Sequence, residues 1–124
     1  MRIAHTAVRV RDIETMRAFY ERYFGGRSGE KYVNPAKGFE SYMIRFGETT
    51  LEMMHSEHIG DPLPEGLGFC HIAFSAGSAE KVRRLTERLR ADGYAILSEP
   101  RTTGDGYFES VAADPEGNRV EITI

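Results

Sequence analysis

The chain has 124 residues, 40% of them hydrophobic and 28% charged, with a net charge of −3 at neutral pH. This is the length and make-up of one ordinary globular domain, which excludes a disordered chain, and so mild a charge leaves no footprint for nucleic acid. No apolar run approaches a membrane span, the opening MRIAHTAVRV lacks the apolar stretch of a signal peptide, and a lone cysteine rules out an internal disulfide framework. The expectation is a cytoplasmic protein with neither nucleic-acid nor membrane partner.

Residues 2–10 alternate as a strand does, with Ile3, His5, Ala7 and Arg9 on one face and Ala4, Thr6, Val8 and Val10 on the other. Asp12 suits the N-cap of a helix whose apolar stripe is Ile13, Met16, Phe19, Tyr20 and Tyr23, and Gly25-Gly26 ends it. Three short strands follow, near 29–34, 39–47 and 49–55. His55 and His58 fall where a polar link begins, SEHIGDPLPEGLG, and read as solvated loop histidines. The segment CHIAFS is a second opening strand, with His71 on one face and Cys70 on the other as a small core residue. Ser78 caps a second helix lined by Val82, Leu85 and Leu89, whose Lys/Arg-rich remainder is a solvated face, and Gly93 follows its end. Strands near 94–99, 106–113 and 118–124 complete the chain. The stretch TTGDGY is a glycine turn with no helix after it, so it is not a phosphate loop, and DPEGN is a tight turn joining the last two strands. The order is βαβββ, twice: an α+β fold in one domain spanning 1–124, with modules at about 1–56 and 69–124 and a link at about 57–68.

The two halves also share residues. Phe-Glu-Ser at Phe39 recurs at Phe108, and Glu52 in TLEMM recurs as Glu121 in VEITI, both at an offset of 69. HTAVRV at His5 resembles HIAFSA at His71 at an offset of 66, so three residues are inserted between helix and strand in the second half. The carboxylates pose a problem, because a buried, unpaired one costs several kcal/mol. Simple alternation is one solution, with Leu51 and Met53 inward and Glu52 in solvent. A shared partner is the other. If the halves pack about a pseudo-twofold axis, His5, Glu52, His71 and Glu121 converge as two nitrogen and two oxygen ligands. Such a set suits one divalent ion, of nickel, cobalt, zinc, iron or manganese, with a position left open for catalysis.

Over almost its whole length the chain resembles the vicinal oxygen chelate superfamily, which includes glyoxalase I. The motifs that carry the resemblance are HTAVRVRDIETMRAFYERYFG, TLEMM, FCHIAFS and DPEGNRVEI. It implies paired βαβββ modules whose mixed sheets curl around a metal cleft, usually in a homodimer, with His5, Glu52, His71 and Glu121 as ligands. Ring-cleaving dioxygenases of the superfamily lack the ligand at the position of Glu52, coenzyme-A epimerases commonly have Gln there, and antibiotic-sequestering members lack the metal set. Glu52 and the compact length are therefore most similar to bacterial glyoxalase I, a lactoylglutathione lyase that tends to take nickel or cobalt ahead of zinc. The implied substrate is a small molecule, the thiol adduct of an α-ketoaldehyde, and the implied reaction is isomerisation of the methylglyoxal–glutathione hemithioacetal to a lactoyl thioester. The metal would stabilise an enediolate, Glu121 would move the proton, and Glu52 would be its counterpart on the opposite side. Epimerisation, thiol transfer to an antibiotic, ring cleavage and non-catalytic binding of a small ligand are the alternatives. Arg9 shares the alternation of His5, and either reaches a substrate carboxylate or snorkels from the rim. Whether one chain supplies all four ligands, or His5 and Glu52 of one subunit face His71 and Glu121 of another, stays open at the level of sequence.

Overall fold

The computed structural model describes residues 3–61, 68–104 and 106–124. Most of the polar link, residues 62–67, and Asp105 of the glycine turn lie outside the described residues. The chain divides into two compact units, Met1–Leu63 and Pro64–Ile124.

The first unit contains β1 (Thr6–Arg9), α1 (Ile13–Phe24), β2 (Arg27–Ser28), β3 (Tyr32–Asn34), β4 (Phe39–Phe46) and β5 (Thr49–Ser56), with one 3-10 turn at Pro35–Lys37. The expected strand at 29–34 is observed only as Tyr32–Asn34, with a separate two-residue strand, Arg27–Ser28, ahead of it, both paired with β4. Asp12 caps α1 as anticipated: its carboxylate accepts from the backbone N–H of Thr15 at 2.9 Å. Gly25 ends the helix at φ +70°, the left-handed turn that glycine adopts without strain. The whole anticipated stripe, Ile13, Met16, Phe19, Tyr20 and Tyr23, is buried, together with Ile44, Leu51 and Met53 of the sheet. The sheet order is β1-β5-β4-β2, with β1 parallel to β5 and the remaining pairs antiparallel. The parallel pair follows from chain direction, since a strand reached through a crossover helix returns alongside the first.

The second unit repeats the scheme with β6 (Ile72–Ser75), α2 (Ala79–Ala91), β7 (Ile96–Thr102), β8 (Phe108–Ala113) and β9 (Arg119–Thr123), in the order β6-β9-β8-β7. Ser78 caps α2, accepting from the backbone N–H of Lys81. Val82 and Leu89 are buried as expected, but Thr86 is the third buried residue of the stripe and Leu85 is only partly covered. Thr86 is accommodated because its hydroxyl donates to the Val82 carbonyl and meets the buried Ser110 hydroxyl at 2.7 Å.

Three expectations are corrected here. Cys70 is exposed, not core, because β6 begins only at Ile72 and no partner strand reaches it. His55 is no loop residue: it lies within β5, half-buried, with Nδ1 2.9 Å from the Val10 carbonyl oxygen. His58 does lie exposed in the turn beyond.

The third correction concerns the repeat. Met43 lies opposite Glu52, nine positions back, whereas Val111 lies opposite Glu121, ten positions back. The closing hairpin of the second unit is longer by one residue, so one of the three extra residues falls there and not between helix and strand. A slip of one residue turns each side chain to the other face. Glu40 consequently points to the α1 side, where Lys31 Nζ meets it at 2.6 Å, while Glu109 shares the face of Glu121. The two Phe-Glu-Ser triplets are alike in letters and opposite in orientation. The recurrence of Glu52 as Glu121 does hold in the structure.

Candidate metal centre

Residues directly opposite each other in a ladder share a sheet face. In the first unit Ala7 lies opposite Glu52 and Arg9 opposite Met54, so Arg9 and Glu52 occupy one face. It is turned away from α1, since Leu51 and Met53 on either side are 3% and 0% exposed against the helix. His5 sits one residue ahead of β1, not inside it as the alternation suggested, and its Nε2 is 3.6 Å from Glu52 Oε2.

The second unit does the same thing. Ala73 and Val111 flank Glu121 on neighbouring strands, and Val120 and Ile122 are both fully buried toward α2. His71 stands one residue ahead of β6, with Nε2 3.5 Å from Glu121 Oε2. The carboxylate side chains keep 24% and 17% exposure and the imidazoles 45% and 42%. Alternation therefore explains how both carboxylates avoid the core. It does not explain why each meets an imidazole at the same place.

The separations bear on what the pairs can hold. Both exceed the ordinary hydrogen-bond length of about 2.9 Å. With metal–ligand bonds of about 2.0–2.2 Å, ligands on neighbouring vertices stand about 3.0–3.5 Å apart; the second pair lies at the upper end of that range and the first just beyond it. Imidazole nitrogen with carboxylate oxygen also suits the divalent first-row ions. The four residues are brought together two by two. Among the described residues, no group of three or more His, Cys, Asp or Glu side chains is assembled to hold a metal ion.

Three arginines extend the face that carries Glu52. Arg45 lies opposite Thr50, two positions along β5 from Glu52, and Arg27 of β2 lies opposite Arg45. Arg9 flanks Glu52 on the other side, opposite Met54. All three are exposed. Of these only Arg9 stood out in the sequence. Arg45 could have been found from its alternation with Met43 along β4, but Arg27 could not, because its place depends on a two-residue strand pairing. On the corresponding face of the second unit, Arg101 Nη1 lies 3.7 Å from Glu109 Oε1.

A model of the Glyoxalase/Bleomycin resistance protein/Dioxygenase superfamily matches residues 2–122. The chain belongs to this superfamily. Within it, the chain is 25% identical to the lactoylglutathione lyase of Salmonella typhimurium, over 98% of this chain and 91% of that protein. It is 37% identical to bovine mitochondrial methylmalonyl-CoA epimerase over a shorter stretch, 44% of this chain and 31% of that protein. The crystal structure of a glyoxalase family protein from Enterococcus faecalis superposes with a TM-score of 0.83 at 24% identity, over 99% of this chain and 97% of that one. The superfamily fold is the two-module α+β fold expected from the sequence. Among the described residues no helix is long and apolar enough to cross a membrane.

Proposed function

We propose that the chain is a metal-dependent isomerase of the glyoxalase I kind, acting on the hemithioacetal of methylglyoxal and a thiol and releasing the lactoyl thioester. The observation that carries this reading is the duplicated pair, His5 with Glu52 at 3.6 Å and His71 with Glu121 at 3.5 Å, on equivalent strands and equivalent faces. One pair is too few ligands for a catalytic ion, and two pairs make the two-nitrogen, two-oxygen set that fits one. The second pair comes from the other half of the same chain or, in a homodimer, from the partner copy; in either case residues 1–124 work as one domain. The likeness to a lactoylglutathione lyase over nearly the full length of both proteins supports the reaction class.

The bound ion, nickel or cobalt ahead of zinc, would supply Lewis acidity where negative charge develops on the substrate's oxygens. The rest of the work belongs to the chain. Glu121 takes the proton from the carbon bearing hydroxyl and sulfur and returns it to the neighbouring carbon, while the hydroxyl proton passes to the neighbouring oxygen, so that atoms and charge balance without any oxidant or reductant. Glu52 would be its counterpart carboxylate. His5 and His71 would be the imidazole ligands, and Arg9, on the face of Glu52, would meet a carboxylate of the thiol. A cytoplasmic location follows from the same reading, since that is where such thiol adducts arise.

The epimerase relative supports a second reading, proton transfer beside the carbonyl of an acyl thioester. Both reactions move a proton on carbon, so substrate separates them. The test is thioester formation from methylglyoxal and glutathione by metal-free protein reconstituted in turn with nickel, cobalt and zinc. Metal-dependent turnover that falls by about 10²–10⁴-fold in Glu121→Gln is expected. Turnover unaffected by Glu121→Gln, or none with any of the three ions, overturns the assignment.

A further inference from the structure

Arg27 and Arg45 lie directly opposite each other on β2 and β4, on the face that carries Glu52. Opposite residues in an antiparallel ladder have Cα atoms about 4.5–5.5 Å apart, and two like charges so placed repel. Four other arginines are answered by carboxylates: Arg11 by Asp61, Arg17 by Glu14 and Glu21, Arg90 by Glu87 and Glu99, Arg101 by Glu109. Among the described residues neither Arg27 nor Arg45 has a carboxylate, hydrogen-bond acceptor or ring partner. Two adjacent guanidiniums held without a counter-charge make a fork for an anion, and their ten N–H donors match a group rich in oxygen.

We propose that Arg27 and Arg45 form an anion-binding pair for the end of the substrate remote from the reacting carbons, recognising a compact dianionic group: a phosphate monoester or two neighbouring carboxylates. From strand spacing, the Cα of Arg45 lies about 8 Å and that of Arg27 about 12 Å from that of Glu52. The pair is thus set for the far part of an extended thiol carrier and not for a three-carbon aldehyde. Arg9 flanks Glu52 on the opposite side, which gives the face a cationic boundary at both ends. The inference deepens the reading above and rests on it in taking the Glu52 face as the ligand face.

The test is calorimetric titration of the intact protein at low ionic strength with inorganic phosphate and, separately, with malonate. Binding of at least one probe is expected, weakened at least tenfold in Arg27→Gln and in Arg45→Gln and unchanged in Arg84→Gln, a control on the outer face of α2. The tighter probe identifies the phosphate or the dicarboxylate source. A second readout guards against a merely structural effect: at low salt Arg45→Gln raises Tm by relieving the repulsion, and phosphate then raises the wild-type Tm but not that of the variant. Failure of both probes to bind the wild type, binding that survives both substitutions, or equal loss in Arg84→Gln overturns the proposal. None of these outcomes depends on turnover, so the pair can stand or fall separately from the isomerase assignment.

Discussion

A carboxylate between two apolar neighbours in a strand can be stable if the pleat turns it to the other face, and both Glu52 and Glu121 are placed in this way. Their neighbours Leu51, Met53, Val120 and Ile122 were readable as core from period-two alternation alone. Their partners His5 and His71 were readable only through the recurrence, since each lies just outside its strand. The opposite face of the first sheet holds a different set of charges. Lys31 Nζ lies 3.2 Å from Glu14 and 2.6 Å from Glu40, and the Tyr42 hydroxyl donates to Glu14 at 3.0 Å. Burial pushes the Glu14 carboxyl upward, but hydrogen bonds from Lys31, Tyr42 and Arg17 outweigh it and hold the group below its ordinary value of 4.5. Burial first, and the Glu14 carboxylate second, push the Tyr42 phenol up. A carboxyl with a depressed folded pKa adds stability above its unfolded value and loses that contribution as pH falls through the folded one. Thermal melts below pH 4.5 should therefore show a shallower acid decline in Glu14→Gln than in the wild type; parallel curves would remove Glu14 from acid denaturation.

At the scale of elements, the local chemistry of the chain was the most legible part. Asp12 and Ser78 both cap helices through their side chains, and the glycine after α1 adopts the left-handed conformation its position demands. Replacing Ser78 with Ala leaves the Lys81 N–H without its acceptor and should cost about 1 kcal/mol in urea denaturation, with the m-value unchanged. Met53 is the counter-example of a residue whose weight lies in packing. It is fully buried beneath α1, and truncation to Ala should cost about 2–5 kcal/mol by the same measurement. A loss below about 1 kcal/mol would mean that the sheet face collapses onto the helix to fill the gap. The elements also show where composition misleads. The polar run around His55 reads as the start of the link, yet β5 continues to Ser56 and the imidazole meets the Val10 carbonyl oxygen. Residue type alone suggests a core place for Cys70, but the strand begins two residues later, at Ile72, and the thiol is exposed.

For the whole molecule, duplication was visible in the sequence and its register was not. The offsets between His5 and His71 and between Glu52 and Glu121 mark equivalent places, while the Phe-Glu-Ser triplets stand on opposite faces because one hairpin is a residue longer. Letters carry no face until the pairing is known. The adjacency of Arg27 and Arg45 is hidden in the sequence for the same reason, since they are 18 positions apart and opposite each other only across the ladder. Under the function proposed above, each half would contribute a pair of ligands and neither half would be sufficient. The direct test is elemental analysis of nickel bound after dialysis, for the wild type, Glu52→Ala and Glu121→Ala, with circular dichroism to confirm that each variant is folded. One ion per wild-type chain, lost when either carboxylate is removed, is the predicted result. Two ions per chain, or one ion that survives removal of either carboxylate, would contradict the joint centre.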